Sequence, residues 1–234
     1  MKKIYTFFLL VSHLHLNAFS NFKKIDQLLD DLDPIESYQR LAESIRSNSN
    51  SDRFHSDGCS GELSKVWNES IYPHFIQPHL GSTAPDFIPF PAEKCCRDHD
   101  RIYFSAFLNF RMNNTAKGGV SAAELLKLNR KTADKRLKEC VGSKKTKAQF
   151  VNLFAVKCSG ENATQAEIES KKFLYQQILD IHFIAKLMYV GVRIGGRPCS
   201  NHEYRFGYGY DNCKGHGEST LNTSLKIFLD LIKP

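Results

Sequence analysis

No run of about 18 apolar residues occurs in this chain, so a membrane-spanning helix is not expected. No Gly-x-Ser-x-Gly turn occurs either, which removes the usual setting of an activated serine nucleophile. Zinc knuckles need two cysteines a few residues apart, and the only close pair, Cys95-Cys96, is adjacent; a structural zinc is therefore not expected. There is no stripe of basic and aromatic residues and no recognisable nucleic-acid module. The densest basic cluster, Lys144-Lys145-Thr146-Lys147, reads as a solvated loop, so nucleic acid is not an expected partner. No internal repeat is evident.

What is present begins with size. At 234 residues and 41% hydrophobic, the chain can bury one core with extensions. Lys2 and Lys3 precede the apolar run Ile4 to Val11, and Asn17-Ala18-Phe19-Ser20 follows. That order of charged, apolar and small residues predicts a secretory signal peptide over 1–20, and a secreted protein. All seven cysteines (59, 95, 96, 140, 158, 199 and 213) lie beyond it, where an oxidising compartment favours disulfides. Seven is odd, so at least one is free or pairs with another chain. Sequons at Asn68, Asn113, Asn162 and Asn222 agree with export. Loss of Lys2 and Lys3 takes the formal charge from +7 to +5. A mildly basic secreted protein is drawn to anionic surfaces such as lipid or polysaccharide.

Residues 21–52 read as an N-terminal helical extension and linker. Ile25, Leu28, Leu29 and Leu32 have helical spacing, as do Ile35, Tyr38, Leu41, Ala42 and Ile45, with Asp33-Pro34 between the two sets. Ser47-Asn48-Ser49-Asn50-Ser51 is a polar linker. The extension is either a propeptide or cap, or a pair of helices packed on the main domain. The main domain is expected over 53–216, with a C-terminal tail at 217–234. Residues 62–94 hold five of the eight prolines, so long regular elements are not expected there. Trp67 is expected to pack beneath this stretch.

Three helical patterns follow. One spans about 92–110, with Cys95, His99, Ile102, Tyr103, Ala106 and Phe110 near one face. The second spans about 121–141, with Ala122, Leu126, Ala133, Leu137 and Cys140 inward. The third spans about 164–192, with Leu174, Ile178, Ile181, Ala185 and Met188 at helical spacing. From Gly191 to Tyr210, glycine and tyrosine suggest turns or a short hairpin.

The chemistry concentrates in Cys95-Cys96-Arg97-Asp98-His99-Asp100, with Tyr103 one turn on. If Cys95 and Cys140 were bonded, stepping forward from one and back from the other would bring His99 and Asp134 to similar height. A carboxylate on one imidazole nitrogen fixes the tautomer and leaves the other nitrogen to take a proton. His99 would then be a general base acting on water. The hydroxyls of Tyr103 and Tyr189 could hold the Asp134 carboxylate. Asp100 points about 100° away around the helix and is open to a second task, such as a calcium site shared with the loop Asp57-Gly58-Cys59-Ser60-Gly61.

These residues resemble the secreted phospholipase A2 superfamily, whose signature is a Cys-Cys-x-x-His-Asp helix following a calcium loop. The likeness extends to Tyr103, to Asp134 six residues before Cys140, and to Lys186-Leu187-Met188-Tyr189, which looks like the helix tyrosine of the group III, bee-venom-like enzymes. Asp57-Gly58-Cys59-Ser60, Met188 to Arg193 and Phe206 to Tyr210 look closer to a less characterised phospholipase A2-like branch. The resemblance implies a mainly α fold in which two antiparallel, disulfide-linked helices carry the site, with a third long helix and a small Gly/Tyr-rich turn or hairpin region. It implies His99 as base, Asp134 as its orienting carboxylate, and Tyr103 and Tyr189 in support. Calcium is implied as cofactor, on Asp100 and the main-chain carbonyls of Gly58, Ser60 and Glu62. Implied disulfides are Cys59–Cys96 and Cys95–Cys140; Cys199–Cys213 is the remaining expected pair.

The loop departs from the family's pattern. Ser60 and Glu62 stand where the family usually has glycines, and the glycine is at 61. The expected activity is calcium-dependent hydrolysis of the sn-2 ester of glycerophospholipids at a membrane interface touched peripherally. The alternative is a weakly active or inactive scaffold that binds lipid or a cell-surface receptor.

Overall fold

The computed structural model describes residues 22–31, 33–47, 67–80, 84–112, 121–195 and 198. The expected signal peptide, the linker with the Gly58–Glu62 loop, the Gly/Tyr-rich region beyond 195 (apart from 198) and the tail at 217–234 lie outside them. Among the described residues the fold is mainly helical, without strands.

Two short N-terminal helices, α1 (Phe22–Asp31) and α2 (Ile35–Ser47), meet at Asp33-Pro34. Proline has no amide hydrogen to give to α1 but fits the opening of α2, so the sequence bends where it was expected to. Ile25, Leu29, Tyr38, Leu41 and Ala42 are buried: both helices pack against the rest of the chain.

Residues 67–80 are more regular than their prolines suggest. A π-helix over Trp67–Ile76 takes Pro73 into its interior and runs into the short α3 (Gln77–Leu80). Pro73 has no amide hydrogen to give to the helix at this point. Trp67 is fully buried, and its indole nitrogen donates to the Ile88 carbonyl at 2.7 Å. Its ring meets Tyr72, Phe90 and Phe150 at 5.2–5.9 Å between centroids. This proline-rich segment is therefore core structure.

Helix α4 (Glu93–Met112) lies antiparallel to α5 (Ala122–Val141), as the pairs Cys95–Cys140 and Tyr103–Asp134 require. Ser121 caps α5: its hydroxyl accepts from the Glu124 amide, and the Glu124 carboxylate accepts from the Ser121 amide. Gly142 and Ser143 then turn the chain into α6 (Lys144–Ser159), a helix the sequence pattern did not reveal. The expected solvated loop at Lys144–Lys147 is its first turn. Lys144 and Lys145 are exposed, whereas Thr146 is buried and donates to the Cys140 carbonyl at 2.8 Å.

The expected third long helix is two helices, α7 (Gln165–Ile178) and α8 (Ile181–Gly195). Leu179 turns extended, and the Asp180 carboxylate accepts from the His182 and Phe183 amides at 2.9 and 3.0 Å. A capping carboxylate there starts a new helix although the apolar spacing continues through it. Of the residues at helical spacing, Leu174 is half exposed, while Ile181, Ala185 and Met188 are buried. The helix also runs through Gly191 to Gly195, where turns were expected. No helix among the described residues is long and apolar enough to cross a membrane.

Candidate active site

Cys95 and Cys140 are bonded, with 5.7 Å between their Cα atoms. Cys96 is also disulfide-bonded. Cys59, Cys199 and Cys213 lie outside the described residues. The Cys158 thiol is buried, and burial raises its pKa.

One turn beyond the Cys95–Cys140 bridge, His99 Nε2 lies 2.8 Å from Asp134 Oδ1. An ionised carboxylate can only accept, so this nitrogen carries the proton. The Tyr103 hydroxyl donates to the same oxygen. His99 Nδ1 lies 3.2 Å from Asp100 Oδ1. The imidazole thus sits between two carboxylates, 5% exposed. Burial alone would pull its pKa down; the bonds to Asp100 and Asp134 outweigh this and lift it to about 9. With both carboxylates in place, the protonated form of His99 is favoured. Burial and the adjoining carboxylate push the Tyr103 phenol well up, so it stays a donor.

Asp134 is itself fully buried, which works against its charge. The Arg130 guanidinium, His99 and Arg193 more than offset that and hold its carboxyl below the ordinary range. Its second oxygen, Oδ2, faces Arg130 Nε at 3.7 Å and Arg193 Nη1 at 3.5 Å. Neither arginine was singled out by sequence. Both belong to otherwise apolar helical stripes: Arg130 is four residues after Leu126, and Arg193 is four after Tyr189. A basic residue on a buried stripe was the available signal.

Tyr189 is placed differently from the expectation. Its hydroxyl donates to Asp26 Oδ1 of α1 at 2.7 Å, not to Asp134, and the Lys138 ammonium lies 4.6 Å from its ring centroid. The tyrosine ties α8 to the N-terminal helices. Of the expected calcium ligands, Asp100 lies beside the base, while Gly58, Ser60 and Glu62 are outside the described residues. No cluster of three or more metal-capable side chains occurs among the described residues. Asp100 supplies a hard oxygen donor there, which suits a cation only if loop oxygens complete the set. Comparisons with protein-family models, curated proteins and solved structures yield no match to this chain.

Proposed function

We propose that the protein is a secreted phospholipase A2 that hydrolyses the sn-2 ester of glycerophospholipids with water as nucleophile. The observation that carries this reading is a buried histidine bonded through Nε2 to Asp134, with Nδ1 directed at a second carboxylate one residue away in sequence. Asp134 and Tyr103 fix the ring and its tautomer, so any proton taken from water must arrive at Nδ1. Nδ1 is available only after Asp100 Oδ1 turns from it and the proton on Nδ1 has passed to solvent. The base is then opposed by one carboxylate, and its proton affinity falls toward that of a usable general base. After attack, Nδ1 returns its proton to the leaving alkoxide, which restores the starting charge on both partners.

Asp100 and the carbonyls of Gly58, Ser60 and Glu62 would hold calcium, which when bound supplies positive charge for the oxyanion. Exposed Lys135, Arg136, Lys144 and Lys145 favour an anionic interface. The sequence-level features in support are the apolar leader at 4–11 and the sequons, of which Asn68 and Asn162 are exposed.

The test is fatty-acid release from mixed phospholipid vesicles with calcium, then with EGTA, for the native chain and His99→Gln. Release that needs calcium and drops by about 10²–10⁴-fold in the variant supports the proposal. No calcium-dependent release, or release unchanged in the variant, sinks it. Vesicle binding without release would favour the lipid-binding scaffold, the reading to which the displaced loop glycine points.

A further inference from the structure

The charges behind Asp134 lead away from the α4–α5 pair and into the N-terminal helices. Arg130, Arg193, Asp33 and Asp134 all have fully buried side chains. Asp33, at the α1–α2 elbow, pairs through Oδ1 with Arg130 Nη1 at 2.9 Å and through Oδ2 with Arg193 Nη1 at 3.1 Å. The Tyr38 hydroxyl reaches both of its oxygens at 2.9–3.0 Å and in turn accepts from Arg130 Nη1 at 2.9 Å. Arg130 Nη2 donates to the Val192 and Arg193 carbonyls at 2.9 and 2.7 Å. Asp30 takes Arg193 Nη2 at 2.9 Å and also pairs with Lys131. Lys127 donates to the Asp33 carbonyl.

Two buried cations thus meet two buried anions, one from the site and one from the extension. Arg193 Nη1 lies between them, 3.1 Å from Asp33 and 3.5 Å from Asp134. Without Asp33, both guanidinium groups would have Asp134 as their only fully buried carboxylate among the described residues. Coulomb attraction would then draw that carboxylate toward the arginines and away from His99. We propose that Asp33 is a positioning residue for the His99–Asp134 pair, and that residues 22–47 are accordingly retained in the working protein rather than removed to release it. The positioning role rests on the hydrolase reading of His99, whereas retention of the helices does not.

The experiment has two arms on the full chain. In the first, a site-specific protease sequence is placed within 48–52 and cleaved, and the product is passed through a gel-filtration column at neutral pH. The fragment carrying 22–47 is expected to co-elute with the remainder, and to separate from it when Asp33→Asn is introduced. A fragment that departs from the unsubstituted protein, leaving a remainder with undiminished melting temperature, overturns retention.

The second arm reads the histidine directly by NMR. The His99 Nε2 proton, assigned by its loss in His99→Gln, is expected far downfield and protected from exchange. Asp33→Asn should shift or broaden it, Asp33→Glu should restore it, and Tyr38→Phe should displace it part of the way. Should Asp33→Asn fail to fold, the Asp33→Glu and Tyr38→Phe spectra decide. A resonance unmoved in every folded variant overturns the positioning role. Neither arm depends on turnover, so absent fatty-acid release defeats the proposed function and leaves the measured retention and histidine geometry standing.

Discussion

Asp134 divides its work between two oxygens. Oδ1 receives His99 and Tyr103, while Oδ2 faces Arg130 and Arg193. Tyr103→Phe removes one donor to a buried charge but leaves the histidine bond and both arginines. Such a loss costs about 1.5–3 kcal/mol, so the urea midpoint should fall while the proposed hydrolysis survives at a reduced rate. A variant as inactive as His99→Gln would instead make the hydroxyl essential. The lowered pKa of Asp134 contributes to the acid limb of stability. Its contribution is fully present above the unfolded carboxyl value of about 3.9 and is lost as pH falls through the lower folded value. Melting temperatures followed from pH 7 toward 2 should therefore decline most steeply below about pH 4. Asp134→Asn should flatten that decline. His99, Asp100, Tyr103 and Asp134 are readable in sequence because their offsets from cysteines express helix geometry. Arg130, Arg193 and Asp33 are not, because their meaning lies in long-range pairing; Asp33 beside Pro34 reads simply as a helix break.

At the scale of elements, local signals marked ends better than they counted helices. Asp33-Pro34 separated α1 from α2, and the Ser121–Glu124 box opened α5, each through a hydrogen-bonding or steric requirement of a few residues. The Asp180 break was hidden because the stripe Ile178, Ile181, Ala185 keeps its spacing across a cap that alters only the backbone. Helix α6 was hidden because its lysine-rich first turn resembles a loop; its apolar anchors Phe150 and Phe154 are recognisable only once the Trp67 cluster is assembled. The α4–α5 pair depends on a bridge closing a separation of 45 residues. Chain-entropy arguments assign such a bridge about 4 kcal/mol. Cys95→Ser with Cys140→Ser should lower unfolding free energy by roughly that amount in urea titrations. Because His99 is one turn from the bridge, activity should fall even at temperatures where the helical signal is unchanged. Full activity in a folded double variant would show that the charge network alone maintains the register.

Across the whole molecule, the site occupies a seam between two apolar clusters. The larger gathers Trp67, Phe150, Phe154, Met188 and the bridge cysteine Cys95; the smaller gathers Tyr38, Leu41, Tyr103, Phe104, Leu126 and Ala133. His99 lies between Cys95 and Tyr103 along α4, and Asp134 between Ala133 and Leu137 along α5, so polar chemistry runs where the clusters meet. The chain carries a formal net charge of +7, and the described residues include exposed apolar side chains, among them Phe87, Phe173 and Leu174. These two features make separable demands on a lipid interface. Attraction of lysine and arginine to anionic headgroups is worth about 1 kcal/mol per residue close to the surface and is screened by salt. Insertion of apolar side chains is much less sensitive to salt. Sedimentation with phosphatidylserine-containing vesicles should therefore weaken by at least about tenfold as salt rises from about 0.1 M to about 1 M, where the screening length contracts from about 10 Å to about 3 Å. Binding to purely zwitterionic vesicles should be weaker at the lower salt and change little. Equal, salt-independent binding to both would assign interfacial attachment to the apolar residues and leave the positive charge without a part in it.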